Sequence, residues 1–364
     1  MSTLPATPHV NRIGTATPPH DVHEAFLHFA RSALPGRRER AVFDRMADRS
    51  GIAHRYSVLQ ADTPGADPLD PGGFYRRGHF PGTAARMAAY ERHAIGLAMA
   101  AVDALDVAAE RERITHLVVA SCTGFTAPGL DQMIAARLGL PGGTQRTLVG
   151  FMGCLAAIPA LRAAHQAVRA DPAARVLVVT LELCTLHLQE SPELETMLSF
   201  LLFGDGAAAA LVTADPEGLA LSRFRAAAIP DSADLITWRI GDQGFDMRLS
   251  GRVPGRIAAA LREDRARNDA GGLLRGRAPS EIDLWAVHAG GRTVLDAVEQ
   301  GYGLSPEALR HSRAVLAECG NMSSATVMFV LDRILRTERG AGEGMAIAFG
   351  PGLAAETCRF RLAA

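Results

Sequence analysis

The stretch from Gln145 to Leu183 constrains this chain more than any other. Gln145 to Phe151 reads as a strand, Cys154 stands in a glycine turn, Leu155 to Arg169 is apolar at helical spacing, and Arg175 to Leu183 reads as a second strand. A strand, a tight turn, a helix and a further apolar strand form the unit of a parallel sheet covered on both faces. The helix after Cys154 carries alanines almost throughout, so it is expected to be enclosed by other elements.

The same alternation runs on both sides of this unit. Val10 to Ile13 and Thr115 to Ala120 read as strands, and Asp21 to Ser32, Arg40 to Arg49 and Thr83 to Ala109 as helices. Arg45 and Arg49, four residues apart, share a helix face. Gly65 to Gly73, rich in Pro, Gly and Asp, reads as a loop. Further on, Ala207 to Thr213, Asp283 to His288, Met345 to Phe349 and Glu356 to Leu362 read as strands, with helices over Arg292 to Gly301 and Ser323 to Arg336. The similar ordering hints at a duplication, with residues 1–215 and 216–364 as the two units. A length of 364 residues accommodates two such units.

Composition removes several function classes. The chain has no lysine, which excludes Schiff-base, pyridoxal-anchoring and phosphate-loop lysine chemistry. A net charge of -1 offers no footprint for nucleic acid or an anionic membrane. No apolar run reaches the length of a membrane span. The N-terminus has no basic-then-apolar start, so the expected location is cytoplasmic. Five cysteines at wide spacing, with no C-x-x-C pair, predict neither a disulfide framework nor a metal site.

Three segments carry chemistry. In Gly150-Phe151-Met152-Gly153-Cys154 a cysteine follows a strand and opens a helix, where the helix N-terminus lowers a thiol pKa. The plain alternative is a packed cysteine. In Trp285-Ala286-Val287-His288-Ala289-Gly290-Gly291 a histidine ends a buried strand, the end at which open α/β sheets place ligands. It can serve as the base a cysteine nucleophile needs, or bond loop carbonyls. In Gly320-Asn321-Met322-Ser323-Ser324 the asparagine can cap the next helix or donate to a developing oxyanion or enolate.

Cys, His and Asn in this order and with these flanks resemble the type III polyketide synthases, the chalcone-synthase-like branch of the thiolase superfamily. The resemblance also rests on Gly124 to Asp131, on Phe203-Gly204-Asp205-Gly206-Ala207 and on Phe349-Gly350-Pro351-Gly352-Leu353, and covers nearly the whole chain. It implies an α/β, thiolase-like fold of two duplicated halves in a layered αβαβα arrangement, working as a homodimer. It implies that Cys154 takes an acyl group from an acyl-CoA, with His288 keeping its thiolate paired. His288 and Asn321 then hold the malonyl-CoA thioester oxygen during decarboxylation. Neither a cofactor beyond the CoA thioesters nor a carrier protein is implied. Phe203 resembles the family's gatekeeper between CoA tunnel and cavity. Met247 stands where a second gatekeeper phenylalanine is usual. Arg45 and Arg49 match basic CoA-binding positions, a third being Val42 here. Gly350, Pro351 and Gly352 match the cyclisation loop, and Ser323 falls at the cavity.

Departures from the plant enzymes bear on product. Trp238 falls where those enzymes have a cavity glycine, Cys122 where they have threonine, and Ala127 where they have a methionine. These point to the bacterial branch and favour a fatty-acyl starter, giving an alkylresorcinol, alkylresorcylic acid or alkylpyrone. The alternative uses malonyl-CoA alone and makes a phloroglucinol-like or tetrahydroxynaphthalene-like phenol. Rival readings are a carrier-protein ketoacyl synthase of the initiating type, a cysteine hydrolase and a non-catalytic acyl-CoA-binding relative.

Overall fold

The computed structural model describes residues 6–60, 73–267 and 269–362, so most of the loop expected at 65–73 lies outside the described residues. Nine strands join in one sheet: β1 (His9–Ala16), β2 (His116–Ser121), β3 (Gln145–Gly150), β4 (Val176–Leu183), β5 (Asp205–Thr213), β6 (Leu219–Ala228), β7 (Leu284–Val287), β8 (Gly342–Gly350) and β9 (Ala354–Leu362). Their order is β7-β8-β9-β6-β1-β5-β4-β2-β3. The join between the halves is thin, because β1 and β6 share two residue pairs, His9 with Ala220 and Val10 with Leu219. On one side β2 runs parallel to β4, β4 antiparallel to β5 and β5 antiparallel to β1. On the other, β7 runs parallel to β8, β8 antiparallel to β9 and β9 antiparallel to β6. This is the duplication suggested by element order, with β3 an extra parallel strand on the first half.

The period-two alternation of the strands builds the layers. Val176 and Val178 of β4 face a central core with Ile158, Leu161 and Val168 of the helix Ala157–Ala170 and Val330, Leu331 and Ile334 of the helix Thr326–Thr337. Ala286 and Ala346 enter that core from the second half. The alternate residues Leu177 and Val179 face outward onto the helix Thr83–Leu105. On the far side Trp285, Val287, Met345 and Ile347 meet the helices Val253–Ala266 and Arg292–Tyr302. The order is helix, sheet, helices, sheet, helices. Alanines 156, 157, 160 and 164, all fully buried, let the central helix pass between two sheets. Truncating Leu161 to Ala there would cost about 2–5 kcal/mol.

This architecture positions the chemistry. Cys154 and Asn321 each precede one of the two central helices, and Cys122 and His288 each follow the equivalent strand, β2 or β7. All four thus gather at the carboxyl ends of parallel strands. A hairpin, Ile236–Gly241 paired with Gly244–Leu249, lies outside the sheet. No helix among the described residues is long and apolar enough to cross a membrane.

Candidate active site

The turn bearing Cys154 is shaped by two left-handed residues, Phe151 at φ 56° and Gly153 at φ 69°. For Phe151 this backbone is uncommon, and packing of its ring against Phe125 and Phe245 holds it. At Gly153 a side chain is excluded twice over, since a Cβ would stand 2.4 Å from Pro351 Cδ. The Gly350-Pro351-Gly352 loop therefore rests directly on the Cys154 turn. The Gly153 N–H donates to Cys122 Sγ at 3.0 Å.

Cys154 lies in a single 3₁₀ turn, Gly153–Leu155, ahead of the helix Ala157–Ala170. The expected depression of its pKa is not found. Burial pushes the thiol up to about 11, with the Glu182 carboxylate adding to the rise, against hydrogen bonds from the side chains of Ser323 and Asn321. Loss of water outweighs the helix end because the helix proper starts three residues later. His288, 2% exposed, has its pKa lowered to about 3 by the same loss of water. Burial thus works against the charged form of both the thiol and the imidazole.

Asn321 combines the two roles open to it from sequence. Its Oδ1 accepts the Ser323 N–H at 2.8 Å, a cap on the turn that follows. That fixes Nδ2 to donate to the Gly290 carbonyl at 3.2 Å and leaves its other hydrogen toward Cys154. Gly290 N–H in turn bonds the His288 carbonyl at 2.9 Å, so the two loops are stitched together. His288 Nδ1 has no hydrogen-bond partner among the described residues.

Cys154 opens onto a narrow cavity of about 40 Å³ lined by Cys122, Thr123, Cys184, Phe200, Phe203, Trp238, Met247, Ser323 and Pro351 among others. Trp238 and Met247 are cross-strand partners on the hairpin. Phe203 also lines a second chamber of about 50 Å³, which shares Cys184, Phe200 and Phe203 with the cavity. It does not line the larger groove of about 710 Å³ that runs from Met46, Arg49 and Arg292 past Leu198 and Leu202 to Gly290. Its side chain turns inward because its turn is tied to Asn321 through the Gly204 N–H, at 3.0 Å. Arg45 is exposed one turn before Arg49 and does not line the groove.

Several lining residues were not read from the sequence. Thr237 and Ile236 belong to the hairpin, for which the Gly241-Asp242-Gln243-Gly244 turn was an available signal. Arg292 shows no motif, and only the fold brings it to Arg49, whose carbonyl it meets at 3.2 Å. Glu182, fully buried beneath Cys122, accepts from Cys122 N at 3.0 Å and from the hydroxyls of Thr123 at 2.8 Å and Ser324 at 2.5 Å.

A thiol hydrogen-bonded by the Asn321 amide at an apolar cavity, beside a groove that holds Arg49 and Arg292, suits acyl transfer from a phosphate-bearing thioester. Family profiles agree. The profile for chalcone and stilbene synthases, N-terminal domain, matches residues 6–216, and that for the C-terminal domain matches residues 221–363. The chain belongs to the chalcone and stilbene synthase family. Among relatives of this synthase, the Alpha-pyrone synthesis polyketide synthase-like Pks18 of Mycobacterium tuberculosis is 34% identical over 346 residues, 90% of this chain and 83% of its own. PKS-I from the brown alga Ectocarpus siliculosus superimposes with a TM-score of 0.85 at 30% identity over 100% of both chains. The 1,3,6,8-tetrahydroxynaphthalene synthase of Streptomyces coelicolor A3(2), a bacterial type III polyketide synthase, does so at 0.85 and 28% identity, over 98% of this chain and 99% of that one. The synthase is thus a type III polyketide synthase of thiolase-like fold, an acyltransferase acting on CoA thioesters without a further cofactor.

Proposed function

We propose that the synthase loads a fatty-acyl group from acyl-CoA onto Cys154, extends it with malonyl-CoA and closes the chain to an alkylpyrone, alkylresorcinol or alkylresorcylic acid. The observation that carries this reading is the meeting of the Cys154 thiol and the Asn321 amide at an apolar cavity beside a groove with Arg49 and Arg292 at its mouth. Attack of Cys154 Sγ on the starter thioester passes the thiol proton to His288 Nε2 and expels CoA as the thiolate, which takes its proton from solvent. Malonyl-CoA next places its thioester oxygen against Asn321 Nδ2–H and the Nε2–H that His288 now carries. Its carboxylate leaves as carbon dioxide, and the enolate so formed attacks the Cys154 thioester, freeing Sγ. The apolar walls keep water from protonating the enolate. The phosphates of CoA pair with Arg49 and Arg292.

The Alpha-pyrone synthesis name of Pks18 supports lactone-forming closure here. One observation favours the second reading, a malonyl-only phenol synthase: the cavity at Cys154, about 40 Å³, is small beside the groove of about 710 Å³. Incubation with labelled malonyl-CoA and acyl-CoAs of six to sixteen carbons, followed by mass spectrometry, decides between them. Alkyl-bearing tri- or tetraketides support the first reading. Malonate-derived phenols alone replace it with the second, and extension only on an added carrier protein removes both.

We also infer that the synthase acts in the cytoplasm as a homodimer. The exposed apolar residues Phe125, Leu148 and Met152, grouped at the open edge strand β3, support the dimer. Sedimentation of a monomer at micromolar concentration would remove it.

A further inference from the structure

The wall between the catalytic cavity and the second chamber is held by a residue that touches neither Cys154 nor the CoA groove. Arg55 is 2% exposed, and its guanidinium makes no ion pair among the described residues. Its Nη1 donates to the Phe203 carbonyl at 2.7 Å and to the Phe200 carbonyl at 3.0 Å, and its Nε donates to His23 Nδ1 at 3.0 Å. Phe200 and Phe203 are the two aromatic residues that both cavities share. The guanidinium also lies over the Phe26 ring, 4.6 Å from its centroid. The neighbouring carboxylates do not bond the guanidinium: Asp21 Oδ1 accepts the backbone N–H groups of His23 and Arg55 and its Oδ2 meets His54, and Asp205 accepts from Val58 N–H and Thr185.

A buried cation without a carboxylate partner is costly unless its hydrogen bonds are filled. Here Nη1 and Nε are filled, Nη1 by the carbonyls of the gate turn and Nε by His23, while the buried Nη2 has no hydrogen-bond partner among the described residues. The Arg55 stem continues past the other catalytic loop: a Cβ on Gly320 would stand 2.8 Å from Arg55 Cγ. One side chain therefore spans the backbone of Phe203 and the residue before Asn321. The forked guanidinium suits this, since a single ammonium cannot satisfy two carbonyls and an imidazole in one plane.

We propose that Arg55 is the positioning residue of the Phe203 wall and thereby sets which acyl chain lengths the synthase accepts. Clamping the carbonyls of Phe200 and Phe203 keeps the Phe203 ring between cavity and chamber. Loosening that clamp lets the ring move and joins the two spaces, so longer starters gain relative to shorter ones. This rests on the reading of the cavity as the starter site.

The test uses the full-length synthase, malonyl-CoA and acyl-CoA starters of six and fourteen carbons. In Arg55→Lys the ratio of kcat/KM for the long over the short starter rises by about tenfold, the low end of what one methylene of pocket space is worth. In a Phe203→Ala background the same substitution shifts the ratio no further, because both act on one wall. An equal loss on both starters, or a shift that adds in full to that of Phe203→Ala, overturns the proposal and gives Arg55 a purely structural role. Should Arg55→Lys fail to fold, His23→Ala, which frees Nε, decides in its place: the ratio rises as before, and an unchanged ratio overturns the proposal. If the wild-type synthase elongates neither starter, the starter-site reading itself falls, an outcome distinct from elongation with unaltered selectivity.

Discussion

The Trp238 indole N–H donates to the Cys122 carbonyl at 3.0 Å, tying the hairpin to the strand end beside the nucleophile. His187 fastens the same hairpin from below, with Nε2 against the Thr123 carbonyl at 2.6 Å and Nδ1 accepting the Phe245 N–H at 3.0 Å. The tryptophan is thus both a wall of the cavity and a peg. Trp238→Phe, which keeps the ring and loses the bond, should lower stability by about 1 kcal/mol in chemical denaturation, with a small change in products. Trp238→Ala should move the product profile toward longer chains, read by mass spectrometry. An unchanged profile would show that Trp238 does not bound the substrate.

A second prediction concerns the reactivity of Cys154. A thiol at about 11 carries two to three orders of magnitude less thiolate at pH 7 than an ordinary cysteine, roughly. Alkylation of Cys154 in the free synthase should therefore be slow at pH 7 and climb about tenfold per unit between pH 7 and 9. Fast labelling at pH 7 would mean that thiolate and imidazolium coexist. Because His288 is lowered to about 3, activity should show no acidic limb from this imidazole between pH 5 and 8.

Glu182 supplies a stability signature. Burial raises its pKa to about 7 against hydrogen bonds from Ser324, Cys122 and Thr123 that lower it. A carboxyl raised above its unfolded value favours folding while protonated, so its contribution is present below about pH 4.5 and is lost as pH rises through about 7. Glu182→Gln should remove this fall, worth up to about 3 kcal/mol between pH 4 and 8. The check is the difference in denaturation free energy between the two proteins across that range, which cancels the opposite contributions of His187 and His288. A constant difference would contradict it.

Much of the fold was legible because its strands are buried on both faces and its helices follow glycine turns. β2, β4, β5, β7, β8 and β9 lie where apolar, β-branched or alanine-rich runs place them. Hairpin Ile236–Leu249 and β6 were not, since their half-exposed residues carry a weaker pattern. Cys154, Asn321, Ser323, Trp238, Met247, Cys122 and Phe203 do gather at one place. Local signals singled out Cys154, but the rise in its pKa comes from burial, which is a property of the whole fold. Arg292 and Arg55 were invisible for the same reason: their partners lie 243 residues and 145 to 148 residues away.

The Gly153–Pro351 contact predicts an intolerant position. Gly153→Ala adds a Cβ 2.4 Å from Pro351 Cδ at a left-handed backbone. The backbone cost alone is about 1–2 kcal/mol. The variant should lose stability by more than that in urea denaturation and should lose condensation activity. Full activity would mean that the Gly350-Pro351-Gly352 loop is free to withdraw.

Arg49 and Arg292 are tested with paired substrates. Arg49→Ala and Arg292→Ala should each raise KM for acyl-CoA by about three- to tenfold with kcat little changed, and the effect should shrink at high salt. A starter thioester of N-acetylcysteamine, which has no phosphates, should be indifferent to both changes. Equal losses on the two substrates would place the arginines outside phosphate recognition.

The central claim is that the acyl chain is carried on Cys154, although Cys122 and Cys184 line the same cavity. The most direct measurement is intact-protein and peptide mass after brief mixing with an acyl-CoA, comparing wild type with Cys154→Ala. One acyl mass on the Cys154 peptide, absent in Cys154→Ala while Cys122 and Cys184 stay unmodified, is the predicted result. Acylation or polyketide formation that persists in Cys154→Ala would contradict it.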